Sequence, residues 1–172
     1  MEPVLSINDQ EAVKDFRLRA KQFCEFIEGC EHLDQPKLIR GLSVHLAGIC
    51  EAATRLPCVN PATVDGNDLT AESAEEHSRR CVALATRLRK QLGSLDGYWN
   101  VFEPTQKQEA IQCSLSMDLA DIFMDLREGL RLQAGGAAPE DVYWQWRFDF
   151  LSHWSRHAAS ALKVVFILLS RV

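Results

Sequence analysis

A chain of 172 residues, 47% of them hydrophobic, is long enough for one domain that buries roughly 70% of the surface its unfolded form exposes. Its formal net charge of −5, with no basic arm or cluster, argues against a dedicated nucleic-acid binder, whose affinity would rest on neutralising phosphates. The first nine residues have neither a basic nor an apolar targeting region, and the late apolar run from Val164 to Leu169 falls far short of the roughly 20 residues that span a bilayer, so a cytoplasmic location away from membranes is expected.

A first helix is predicted from Asn8 or Asp9, where an Asx cap precedes Glu11 in a capping-box-like arrangement. Val13, Phe16, Ala20, Phe23, Cys24 and Ile27 then recur at helical spacing up to Gly29. The second helix opens at Asp34-Gln-Pro36, carries Leu38, Leu42, His45, Leu46 and Ile49 on its apolar stripe, and stops at Leu56-Pro57. Residues 57–69 hold two prolines, a glycine and four Asx residues, which is loop chemistry. The third helix is predicted from Thr70 to Leu92, acidic first and basic last, with Gly93 as its stop. Six cysteines are scattered along the chain without a C-x-x-C pair, and they read as small buried hydrophobes rather than as a zinc knuckle or redox motif.

Residues 95–104 mix Tyr98, Trp99 and Phe102 with Gly, Asn and Pro and predict an ordered aromatic loop that covers the core or lines a pocket, followed by a short helical turn over 105–111. The fourth helix is predicted from an N-cap at Ser116 to about Gln133. Its apolar stripe is Leu119, Ile122, Phe123, Leu126 and Leu130, flanked by a ladder of Asp118, Asp121 and Asp125 at i, i+3, i+7. After the Gly135-Gly136 break, Pro139 opens a last helix that runs to near Arg171, either continuous or kinked at the second histidine. On that helix Tyr143, Trp146, Phe150, Trp154, Ala161, Val165 and Leu168 share one arc, with Arg147 and His157 inside it and His153 at its edge. The expected fold is a single all-α domain over residues 1–172, a bundle of about five main helices with the last one central.

The Tyr98-Trp99 and Phe102-x-Pro104 loop, the Ser116-x-Asp-Leu-Ala-Asp-Ile-x-x-Asp-Leu126 helix and the Trp144-x-Trp-Arg-Phe-x-Phe-x-x-His-Trp-x-x-His-Ala158 helix together carry a resemblance. The chain resembles the bacterial domain of unknown function 5063 family, small single-domain proteins of similar length, most specifically through the Trp/His motif. The resemblance implies a helical, cytoplasmic, bacterial protein with no assigned activity, and it brings no functional residues with it.

Polar groups on a core face must find partners, because an unpaired buried charge costs several kcal/mol. An antiparallel fourth and fifth helix would bring Asp125 to the level of Trp146 and Arg147, and Asp118 and Asp121 to the level of His153 and His157. An Asp/Arg/His network that fixes helix register is therefore expected. An alternative reading makes His153 and His157, with Asp118 and Asp121, ligands of a divalent metal in a metal-binding protein or metal-dependent hydrolase. A third makes Tyr98, Trp99, Trp144 and Trp154 the walls of a pocket for a small molecule or peptide, with Arg147 as anion anchor. No Gly-x-Ser-x-Gly or Gly-rich phosphate loop occurs, and no cofactor is expected. These residues favour a non-catalytic module with a protein or small-molecule partner over an enzyme.

Overall fold

The computed structural model describes residues 5–62, 73–101 and 105–171. The chain folds as helices α1 (Ile7–Gly29), α2 (Gln35–Thr54) and α3 (Ala74–Leu92), strands β1 (Gly97–Asn100) and β2 (Ile111–Ser114), then helices α4 (Leu115–Ala134), α5 (Pro139–Asp149) and α6 (Ser155–Leu169). A π-helical segment, Phe150–Trp154, joins α5 to α6, so the two form one long helix with a local change of pitch. The protein is all-α apart from one small hairpin. No helix among the described residues is long and apolar enough to cross a membrane.

The N-termini of α1 to α4 are each fixed by a side-chain oxygen that takes an otherwise orphaned backbone N–H. In α1 the cap is Ser6, two residues before the expected start. Its hydroxyl accepts the Asp9 N–H at 3.1 Å while the Asp9 carboxylate accepts the Ser6 N–H at 3.2 Å, a complete capping box that Asn8 and Glu11 do not offer. In α2 the cap is Asp34, as its spacing to Pro36 predicts. In α3 it is Ser73, and that helix runs from Ala74; the expected start at Thr70 lies outside the described residues. In α4 it is Ser114; Ser116, the expected cap, is inside the helix and fully buried. Gly93 ends α3 at φ 55°, in the left-handed region where a Cβ would strain the chain.

The aromatic loop is in fact half of an antiparallel hairpin: Tyr98 lies opposite Cys113 and Trp99 opposite Gln112. The segment expected to form a helical turn over 105–111 leads instead into β2. Alternation sends Tyr98 inward and leaves Trp99 70% exposed. Phe102 and Pro104 lie outside the described residues.

The centre of the bundle is α4, not the last helix. It packs on α1, α3, α5 and α6 and buries residues around most of its circumference. Buried side chains from every helix form one cluster. Within it Phe16 meets both buried tryptophans, with ring centroids 5.1 Å from Trp146 and 6.5 Å from Trp154. Trp146 in turn brings its indole Nε1 and Cδ1 against α4 at Gly129, where the helix has no side chain to hold it off.

That contact generates a prediction. A Cβ on Gly129 would sit 1.9 Å from Trp146 Nε1, so Gly129→Ala forces the indole out of place and is expected to cost about 1–3 kcal/mol despite the better helix propensity of alanine. Gly29→Ala, with nothing within 4 Å of the added carbon, is expected to be neutral or slightly stabilising. Urea denaturation of the two variants beside the parent measures the contrast.

Candidate functional site

The face of α4 that carries its aspartates looks at the last helix. Asp118 is buried, and Asp121 and Asp125 are half-buried, so each needs a donor. His157 on α6 holds Nδ1 2.8 Å from Asp118 Oδ1, and His153 in the π segment holds Nδ1 2.7 Å from Asp125 Oδ2. Opposite a carboxylate the Nδ1 atom carries the proton, which leaves Nε2 of each ring as the acceptor. Asp121 Oδ2 lies further from His157 Nδ1, at 3.8 Å. The two imidazoles meet edge to face with centroids 5.0 Å apart.

Both inner carboxylates are also held from behind. Tyr98 on β1 donates its hydroxyl to Asp118 Oδ2, and the Cys81 thiol on α3 points at Asp121 Oδ1 at 3.3 Å. Burial pushes the Cys81 thiol up to about 12, with Asp121 and Asp125 adding to the effect, and burial together with the Asp118 bond holds the Tyr98 phenol above its ordinary value. Both groups therefore stay protonated donors near neutral pH. Beyond them Asn100 reaches Ser160 on α6 at 2.9 Å, so hairpin, α4 and α6 are laced by one line of polar contacts.

A second anchor fixes the root of the hairpin. Burial opposes ionisation of Asp96, but the Ser116 N–H at 2.7 Å, the Ser114 hydroxyl at 2.9 Å and Arg89 Nε at 3.0 Å hold its carboxyl below the usual value. A groove of about 690 Å³ runs between this anchor and His157, with Asp118 and Asp121 in its floor.

Arg147 does not join the seam, which corrects the expectation that it would meet a carboxylate. Its Nη1 donates to the carbonyl of Leu56 at 3.1 Å. The segment after α2 crosses α5 there as a strap, tied a second time where the Ala62 N–H donates to Asp141 Oδ1 at 2.7 Å. The turn between α4 and α5 occupies residues 135–138, so the level of Asp125 on the returning helix is that of His153, more than a turn beyond Arg147. Between strap and helix lies a cleft of about 370 Å³ lined by Trp144, Arg147, Phe148, Leu151, Val59 and Asn60, among others. Trp144 and Phe148 stack there at 4.9 Å and 13°. Of the four expected pocket walls only Trp144 is in this cleft. Tyr98 serves the seam, Trp99 projects into solvent and Trp154 is core.

With this geometry in view, the comparisons with known proteins decide the family. A family model described as Domain of unknown function (DUF5063) matches residues 7–170. The chain belongs to that family. No curated protein matches it. The crystal structure of protein BF1032 from Bacteroides fragilis is similar in fold, with a TM-score of 0.74 over 92% of each chain at 20% sequence identity. At that identity the likeness speaks for the fold alone.

The metal reading of this member of the family meets an obstacle in the donor geometry. Among the described residues no group of three or more His, Cys, Asp or Glu side chains has an arrangement that could hold an ion. The two imidazoles face different carboxylates instead of converging.

Sequence reasoning overlooked Asp149, Phe148, Leu151 and the strap. Burial pushes the Asp149 carboxyl up to about 7, with Asp125 and Glu128 adding to the effect and the Gln145 amide at 2.7 Å and His153 opposing it. A single core arc places Asp149 on the solvent side of the helix; α4 approaches from that side. No local signal in the sequence marks it.

Two predictions follow from the seam. Asp149 binds its proton more tightly in the folded protein than in the unfolded one, and so does His153, whose Asp125 bond raises its value. Asp149 thus gives the folded state its excess proton between about pH 4 and 7, and His153 extends the excess above its ordinary range near pH 6.5, so stability falls as pH rises through both. Asp149→Asn should flatten the decline and raise the melting temperature at pH 8 by on the order of 3 °C, read by thermal denaturation across pH. Tyr98→Phe leaves the second oxygen of Asp118 without its donor and should lower the unfolding free energy by about 1.5–3 kcal/mol in urea titrations.

Proposed function

We propose that this chain is a non-catalytic, cytoplasmic bacterial binding module, with the cleft between the strap and α5 as its ligand face. The Asp/His seam is then a structural device. Each imidazole Nδ1 is taken by a carboxylate, Asp118 or Asp125; Asp118 is held in turn by the Tyr98 hydroxyl, and the neighbouring Asp121 by the protonated Cys81 thiol. The seam contains no activated nucleophile: burial raises the nearby Cys81 thiol far above neutrality, and a thiol in that state is a poor nucleophile.

The observation that carries the reading is the cleft: an arginine and a stacked tryptophan–phenylalanine pair, with Leu151, opening on one concavity of about 370 Å³. Apolar walls with a few convergent polar groups are the usual form of a small-molecule site. Phe148 and Leu151 are 48% and 57% exposed, which is costly for a surface that nothing covers.

A thermal-shift screen of small metabolites and short peptides tests this. A ligand at a hundredfold excess over its Kd should raise the melting temperature by on the order of 5–10 °C. Trp144→Ala should abolish the shift, and the ligand should be recovered chemically unchanged. Conversion of the bound compound to a product, or binding indifferent to Trp144→Ala, would count against the proposal.

A further inference from the structure

Three arginines among the described residues are partly withdrawn from water: Arg19, Arg87 and Arg147. Arg19 has Asp15 at 3.6 Å and Arg87 is paired with Glu31. Among the described residues Arg147 meets no carboxylate, and its one acceptor there is the Leu56 carbonyl. A guanidinium carries five N–H donors and is always charged, so a single neutral carbonyl leaves most of its donors and all of its charge unanswered. Partial burial makes that charge costly to leave alone. The remaining donors are not sealed in the core, because Trp146 Nε1 is the one fully buried side-chain donor or acceptor without a partner among the described residues.

The surroundings of Arg147 narrow what would complete it. Among the described residues, the cleft lining contains no acidic residue to repel an anion and no second cation to favour a dianion. Its lining combines the Trp144–Phe148 stack with the aliphatic side chains of Leu151 and Val59. Asn60 and Ser152 add neutral polar groups to the lining. A guanidinium fork matches a carboxylate with two parallel hydrogen bonds, and a flat ring gains most from an aromatic wall. The volume lies at the small end of the range for ligand sites.

We propose that the cleft takes a flat organic monocarboxylate of one or two rings, its carboxylate on Arg147 and its ring against the Trp144–Phe148 wall. This rests on the reading of the cleft as the ligand face and adds the chemistry of the ligand. Arg147 then has two tasks: one N–H holds the strap in place and the others receive the anion.

The test uses benzoate and naphthoate, each beside its primary amide, titrated into the full chain by calorimetry and followed in backbone and indole NH spectra. Naphthoate is expected to bind at least tenfold more tightly than naphthamide, with a preference that shrinks as salt rises, and to shift the Trp144 indole signal. Arg147→Gln should bring naphthoate down to the level of the amide, and Arg147→Lys, which keeps the charge but loses the fork, should fall between. If Arg147→Gln loosens the strap and the melting profile changes, the acid-to-amide ratio in the unaltered protein still decides. Equal affinity of acid and amide would overturn the ligand class; shifts at Trp144 by both would then leave the cleft standing as a binding face. Failure of both compounds to move the Trp144 signal would overturn the monocarboxylate proposal, and the broader screen with Trp144→Ala would then judge the binding module on its own.

Discussion

A carboxylate taken out of water has to be answered by donors, and Asp118 is answered from two directions. The Tyr98 hydroxyl arrives from the hairpin and the His157 imidazole from α6. Those two bonds decide where a marginal two-stranded ribbon sits, since such a hairpin has little stability of its own. They also set the register between α4 and the last helix, together with the parallel pairing of Asp125 and His153 one level along. Apolar packing alone tolerates sliding of one helix along another; directional polar pairs at two levels do not. Asp96 does the same for the start of α4, since its carboxylate draws in Arg89, Ser114 and the Ser116 backbone at once.

The position of α4 explains why this polar chemistry is concentrated on it. A helix packed on four others keeps only a narrow solvent face, which Arg127 and Arg131 occupy, so the charges of its aspartates are carried into interfaces. Three aspartates on such a helix require partners from its neighbours: α3 and β1 supply one each, and the last helix supplies two, His153 and His157. Arg147 lies on a helix with a free flank, which is why its charge could be left toward a cleft without unfolding the bundle.

The helices themselves were legible from the sequence because each carries apolar side chains on successive turns of a buried face, and the 3.6-residue recurrence of Phe16, Phe23 and Ile27 or of Leu119, Ile122 and Leu126 reports that directly. The caps were harder, since two polar residues stood two positions apart at both Ser6/Asn8 and Ser114/Ser116, and which one closes on the helix depends on tertiary partners such as Asp96. The hairpin left little trace. Its strands are four residues long with no Asn-Gly turn, and its inward residues are a tyrosine and an asparagine whose reason for pointing inward is Asp118 and Ser160, far off in the chain. The two histidines and the aspartates were legible as groups in need of partners, whereas the destination of Arg147 was not, because the carbonyl that receives it belongs to a strap 91 positions away.

The π segment between α5 and α6 has an angular consequence. Trp146 and Trp154 are eight positions apart, which in a helix of uniform pitch would turn them about 80° away from each other. Accommodating one additional residue in a wider turn reduces that to about 20°, the spacing of a heptad, and both indoles then reach the same phenyl ring of Phe16. The wide turn therefore acts as a phase correction. It lets one helix keep a continuous aromatic spine on α1 while Arg147 before it and His153 within it look toward different neighbours.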